Sequence, residues 1–327
     1  KATVMQNITC LLFTVVLLLN IACRSNDEGI KSDDKLSQQN EISESVKTNQ
    51  DLLEDFERIL QRVVAIRGLE VVEPIKPTFV SKMEFKDIIN KKLNEDAEEI
   101  SKLEKLLKIL QLIPKDGILS EMLFLMYQEQ TVGFFDLDTE RVYIISELKE
   151  LNPLSEITLV HEYVHALQQQ HFDISTITYK TELDSETALG LTSLVEGDAV
   201  VAELEYIREY FSPEDREFLY EAANDSTAFG ASPLALQKML LFPYKYGELL
   251  VNDLINIDGW DTVNAAYKDP PLSTEQVIHT NKYLQKETPN KIVLPKLTNL
   301  QEQGFVVMHQ DVLGEFMLKT YLETITD

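Results

Sequence analysis

The sequence predicts an α+β protein that is mostly helical, with one small antiparallel sheet or hairpin. Two observations carry this. Beyond residue 50, apolar residues recur at three- and four-residue spacing through most of the chain. Only one stretch, TVGFFDLDTERVYII, has two apolar, aromatic runs flanking a short turn, Asp136-Leu137-Asp138-Thr139. A hydrophobic content of 44% over 327 residues supports a real core, in one large domain or two small ones.

The elements follow in order. Residues 8–22 (ITCLLFTVVLLLNIA) are apolar and end at Ala22-Cys23, the right length for a signal-peptide core and short for a membrane span. That ending resembles a bacterial lipobox, so residues 1–23 are expected to direct the protein out of the cytoplasm. A lipid on Cys23 would anchor it to a membrane, with free secretion as the alternative. Asn20 stands where a lipobox normally has Leu, and only Lys1 supplies positive charge ahead of the run. A lysine at position 1 suggests a fragment or an uncertain gene start. Residues 24–50 are polar without an apolar period and read as a disordered tether. Both cysteines, Cys10 and Cys23, precede it, which leaves no disulfide and no cysteine-based metal site in the folded part.

An N-terminal helical region spans 51–128. Leu52, Phe56, Ile59, Leu60, Val63 and Val64 share a helix face, and Gly68 ends that helix. Pro74 and Pro77 bracket a short extended piece reaching Val80. Further helices are expected near 84–93, 96–112 and 119–128, all with packing stripes. The region 129–327 opens with the hairpin and continues with a helix over 154–170. Next come a loop with at most one strand over 171–184, a helix over 185–210 and mostly helical chain over 213–255. Pro270-Pro271 breaks the pattern. Ser273 with Gln276 forms a capping box that starts a helix carrying His279. A last helix is expected near 313–324.

The chemistry is concentrated at His161-Glu162-Tyr163-Val164-His165, an H-E-x-x-H motif. On a helix, residues four apart lie one turn above each other, so two imidazoles can hold one zinc ion. The neighbouring glutamate can then take a proton from a metal-bound water. Three of the five histidines fall between positions 161 and 171, and the motif's flanks are apolar, as in a helix buried beside a metal. Two exposed histidines on an ordinary amphipathic helix would explain neither fact.

A zinc site needs a third protein ligand. His171 lies six residues after His165, the metzincin spacing, but that pattern needs a glycine where Gln168 stands. On a continuing helix His171 points away from the other two, which suits a residue behind the ligands better than an alternative ligand. The other candidate is Glu196 in SLVEGDAVVAELEYI, an acid among apolar residues that needs a partner; a surface acid beside Gly197 is the plain alternative. Asp198 is a candidate to orient a ligand histidine.

These blocks resemble the gluzincin, or thermolysin-like, branch of zinc metallopeptidases. More narrowly they resemble a group of bacterial secreted or lipoprotein H-E-x-x-H proteins. The matching blocks are GFFDLDTERVYI, LVHEYVHALQQQHFD, LVEGDA, FPYKYG and PPLSTEQVIH, and the likeness runs from about Arg67 to the end. It implies a zincin-like core, with a sheet packed on the H-E-x-x-H helix and a second helix carrying the glutamate ligand. It implies Zn2+ held by His161, His165 and Glu196, Glu162 as general base, and peptide or protein substrates. The hairpin becomes the candidate edge for binding extended substrate. The oxyanion donor in such enzymes is often a His or Tyr, and His279, Tyr244 and Tyr246 lie in matching blocks. Many gluzincins carry an aspartate four residues after the ligand glutamate; here that position is Val200, so another residue must do its work. Relatives of this kind continue past residue 327, which implies a chain cut short.

A net charge of −25 excludes nucleic acid as a partner and reads as surface solubility. Two other functions compete with the peptidase: a binding or assembly lipoprotein on the same scaffold, and a zinc hydrolase of a non-peptide substrate. An intact Glu162 weighs against the first.

Overall fold

The computed structural model describes residues 49–146, 151–179, 183–223 and 227–326. The apolar stretch ending at Cys23 and the polar tether up to residue 48 lie outside the described residues. No described helix is long and apolar enough to cross a membrane.

Helix α1 (Asn49–Arg67) buries Leu52, Phe56, Ile59, Leu60 and Val63, the stripe expected from their spacing. Gly68, at φ 70°, takes the left-handed position that stops it. Strand β1 (Thr78–Val80) follows the two prolines. Helix α2 (Lys82–Glu95) starts at a full capping box between Ser81 and Glu84. Helices α3 (Ala97–Ile109) and α4 (Leu119–Gln130) lead to the hairpin of β2 (Gly133–Asp136) and β3 (Arg141–Ile145).

The sheet is mixed rather than purely antiparallel, with order β1-β3-β2. β2 pairs antiparallel with β3, placing Phe134 opposite Tyr143, and β1 adds in parallel on the other side, Thr78 opposite Tyr143. A parallel neighbour needs a long crossover, which α2 to α4 supply. A three-residue strand has too few positions to show a period, so its pairing left no mark in the sequence. Since β1 precedes residue 129 and β3 follows it, the two sequence regions share one sheet; α1 also packs on the helices of the second region.

Helix α5 (Pro153–Phe172) carries the H-E-x-x-H motif. Asn152 caps it by accepting from the Ser155 N–H, and Pro153 supplies a first-turn position that needs no donor. β2 and β3 cover one side of α5, and α7 (Ser185–Tyr210) lies on another. Nearly every residue of α5 from Ser155 to Gln169 is buried, so its apolar residues run all round rather than along one stripe. Between α5 and α7 the structure has a short helix, α6 (Ile174–Tyr179), where the sequence suggested loop or strand. Its β-branched run misled; Asp173, left-handed at φ 50°, ends α5, and its carboxylate then accepts from the Thr176 N–H to start α6.

Beyond α7 come α8 (Pro213–Ala223), α9 (Thr227–Ala231) and α10 (Leu234–Ala266), the last broken at Asp258-Gly259. Helices α7 and α10 cross with their backbones in contact. A Cβ on Gly197 would sit 2.2 Å from the Gly247 carbonyl, and one on Gly247 would sit 2.0 Å from the Ser193 carbonyl oxygen. This crossing brings α10 against the turn of α7 that holds Glu196.

Short helices α11 (Thr274–Ile278), α12 (Thr280–Leu284) and α13 (Thr298–Glu302) precede the terminal α14 (Glu315–Thr326). Only half of the expected capping box forms. The Ser273 hydroxyl accepts from the Gln276 N–H, but the Gln276 side chain accepts from Leu272 and donates to the Glu287 carbonyl instead. α11 stops at Ile278, and His279 is its C-cap rather than riding on it.

Candidate metal centre

His161 and His165, one turn apart on α5, meet Glu196 from the middle of α7. His161 Nε2 lies 3.2 Å from Glu196 Oε2, and His165 Nε2 lies 3.5 Å from the same oxygen. One ligand atom from each of the three falls within 4.8 Å of the other two, and all three side chains are buried.

The other ring nitrogens are tied down. His161 Nδ1 lies 3.2 Å from Glu203 Oε2, and His165 Nδ1 lies 2.8 Å from Gln168 Oε1. The Gln168 amide has a fixed sense, because its Nε2 donates to the Val195 carbonyl at 3.0 Å. Its oxygen therefore faces His165 and requires an N–H at Nδ1, which leaves the Nε2 lone pair pointing at Glu196. Glu203 does the same for His161 from α7. It stands seven residues after Glu196, two turns along the same helix face, and fills the role left open at Val200. The helical spacing of Glu203 from Glu196 and of Gln168 from His165 was visible in the sequence; nothing there separated them from packing residues.

Glu162 is fully buried, and neither carboxylate oxygen has a hydrogen-bond partner; one oxygen of Glu196 is in the same position. Burial pushes the Glu162 carboxyl up to about 7, opposed by the two histidines and by the nearby Phe135 N–H of β2. Burial also raises Glu203, to about 7, and the charge of Glu248 on α10 adds to it. Burial opposes charge on His161, but Glu196 and Glu203 outweigh it and hold the imidazole up at about 10. A metal ion must displace that proton to bind.

A metal ion fits this set. Three buried carboxylates, Glu162, Glu196 and Glu203, surround two imidazoles, an excess of negative charge that a low-dielectric interior does not tolerate unbalanced. Two imidazoles and one carboxylate, converging within 4.8 Å, are a donor set for a divalent transition metal.

The remaining expected residues go elsewhere. His171 is exposed, and its Nε2 meets the Glu70 carbonyl at 2.7 Å. Because α5 continues unbroken through Gln168-Gln169-Gln170, His171 turns away from the cluster and is neither a ligand nor a support for one. Asp198 does not orient a histidine. It takes two hydrogen bonds from Arg67, at 2.6 and 2.9 Å, and a third from the Tyr267 hydroxyl at 2.7 Å. Of the three donor candidates, Tyr244 is the one beside the cluster, its ring stacked 6.2 Å from that of His161. Tyr246 lies two positions on, about 200° round the helix, and stacks on Phe242. His279 pairs with Glu315 at 3.0 Å. No protein-family model, curated protein or solved structure matches this chain, so the likeness to gluzincins is carried by its motifs alone.

Proposed function

We propose that the chain is a zinc-dependent peptidase of the gluzincin type, with His161, His165 and Glu196 as ligands and Glu162 as general base. The observation that carries this reading is the convergence of those three ligands beside a buried carboxylate with no partner of its own. A structural metal site has no use for such a group, whereas hydrolysis needs one.

A bound zinc supplies Lewis acidity, which makes a water acidic near neutral pH and polarises a carbonyl. Glu162 accepts the proton of the attacking water and returns it to the leaving amine. Glu203 and Gln168 fix the imidazole tautomers. Tyr244 is the donor placed to meet a developing oxyanion. β2 is an edge strand of the sheet, packed on α5, and its free side suits antiparallel pairing with an extended peptide. Because the ligands and Glu162 are all buried, substrate reaches them only when covering chain moves. The apolar stretch ending at Cys23 supports a lipid-anchored, extracytoplasmic location, which an acyl mass on the N-terminal peptide of the mature protein would test.

Metal content by mass spectrometry is the first test. About one zinc per chain is expected, retained in His171→Ala and lost in Glu196→Ala. Glu162→Gln should then keep the metal and lose turnover across a panel of unfolded proteins and cell-wall fragments. Full turnover in Glu162→Gln, or a parent that takes up no metal, would sink the proposal; cleavage of the wall fragments alone would keep the chemistry and change the substrate.

A further inference from the structure

Between α12 and α14 the chain leaves the body as an arm. Every residue from 284 to 308 is exposed. Ten of them are large and apolar, including Ile292 and Val293 at 82%, Val306 at 85% and Val307 at 67% exposure. Both ends are pinned. Tyr283 donates to the Asp269 carbonyl, and Asp311 accepts from the Ser185 N–H at the start of α7.

Within the arm, residues 305–308 (Phe-Val-Val-Met) lie outside any helix or strand and follow Gly304, whose φ of 87° turns the chain. Among the described residues, the backbone of 306–308 makes no hydrogen bond, and neither does that of 292–294. A run that is apolar on both faces is normally a strand buried on both faces. This one is covered on neither and presents an open edge.

We propose that the arm is a self-association surface whose occupant is the arm of a second copy, joined antiparallel through residues 305–308 about a two-fold axis. Three observations favour a second copy. A two-fold axis makes any antiparallel strand pair self-complementary, so no further edge is needed. Lys286, Lys291 and Lys296 against Glu287 and Glu302 leave the arm one positive charge, in a chain whose net charge is −25. Two such chains repel each other overall, and the arm carries none of that negative excess. Ten apolar side chains at these exposures present on the order of 1,000 Å2, against roughly 800 Å2 per partner in a standard interface. A lipid surface is disfavoured, because the open backbone groups would go unmet in hydrocarbon.

Light scattering and sedimentation equilibrium on the full chain test this, in the parent and two variants. Val306→Asp with Val307→Asp removes the apolar faces and adds repulsion; Val307→Pro keeps an apolar side chain but deletes a ladder donor. The parent should weigh twice its 37.4 kDa at tens of micromolar. Both variants should dissociate at least tenfold more readily, with unchanged circular dichroism and, in dilute monomeric protein, the parent's melting temperature. A parent that stays monomeric overturns the proposal, as does a dimer that either variant leaves intact. Co-sedimentation of a monomeric parent with phosphatidylcholine–phosphatidylglycerol vesicles, lost in the double variant, would give the arm to a membrane instead and also overturn it.

Discussion

Around the candidate metal centre, α5, α7 and α10 bury charged groups and answer most of them with another side chain. Along residues 284–308 the chain exposes apolar groups and answers none of them. Arg67, on α1, is fully buried, yet it holds Asp198 in a double hydrogen bond, donates to Asn264 and lies over the Trp260 ring. Ile292 and Val306, by contrast, are 82% and 85% exposed. The two regions teach the same lesson from opposite sides. Among the buried atoms without a hydrogen bond, those of Glu162 and Glu196 lie at the candidate centre and point to a ligand the chain does not contain. The groups left over on the arm point to a surface it does not contain.

The largest break in the buried side should come from Arg67→Met. It strands Asp198 without its counter-charge inside the protein and is expected to cost about 3–5 kcal/mol in chemical unfolding. Adding Asp198→Asn to that variant should recover part of the loss. If the double variant is no better than the single, the cost lies in lost packing over Trp260 and not in the buried charge.

This pairing marks where the sequence stops being legible. The long helices were readable because their apolar periods repeat over several turns, and α5 and α7 lie almost where the spacing put them. The two histidines of the candidate centre were readable because i, i+4 residues share a face on any helix. Asp198 was visible as an acid two residues past Glu196, with a histidine as its expected partner; its actual partner lies 131 residues earlier, and nothing local distinguishes Arg67 from any basic residue at a helix end. The choice among Tyr244, Tyr246 and His279 depended on how α10 is rotated against α7, which the Gly197–Gly247 contact fixes and neither segment shows alone.

That contact gives the next test. Gly197→Ala would put a methyl group inside the backbone of α10, and the helices would have to separate beside Glu196. A loss of about 1–3 kcal/mol is expected, with weaker metal uptake in the same variant. A neutral effect on both would mean that the helices do not cross at this point.

A smaller and more local effect belongs to the groups behind the histidines. Glu203→Ala and Gln168→Ala should each lower metal affinity about 10- to 100-fold while leaving the fold intact, measured by competition with a chelator. The arm variants serve as controls, and their metal affinity should equal the parent's. If Gln168→Ala has no effect, the tautomer of His165 is set by something else.

At the joint between the two regions, Glu186 on α7 accepts from the N–H and hydroxyl of Thr274, at 2.9 and 2.6 Å, just ahead of the arm. Burial raises its carboxyl above the usual 4.5, against the Thr274 hydrogen bonds. A raised folded pKa means that its contribution is complete below the unfolded value and fades as pH climbs through the folded one. Unfolding of the parent should therefore lose stability relative to Glu186→Gln as pH rises from about 4.5 toward neutrality, because the amide stays neutral throughout. A parent-minus-variant difference that is flat with pH would show that Glu186 keeps an ordinary carboxyl.

The smallest effect sharpens the comparison most. Ile292→Ser on the arm removes a large apolar side chain, a change that in the core, at Leu191 or Val195, would cost several kcal/mol. On the arm it should change the stability of dilute, monomeric protein by no more than about 0.5 kcal/mol, because the side chain is as hydrated folded as unfolded. The same substitution measured at high concentration should lower stability if arms associate, since a dimer that forms only from folded chains adds to the apparent stability by mass action. A core-like loss in dilute protein would place Ile292 against its own chain and remove the arm from the exposed side of the comparison.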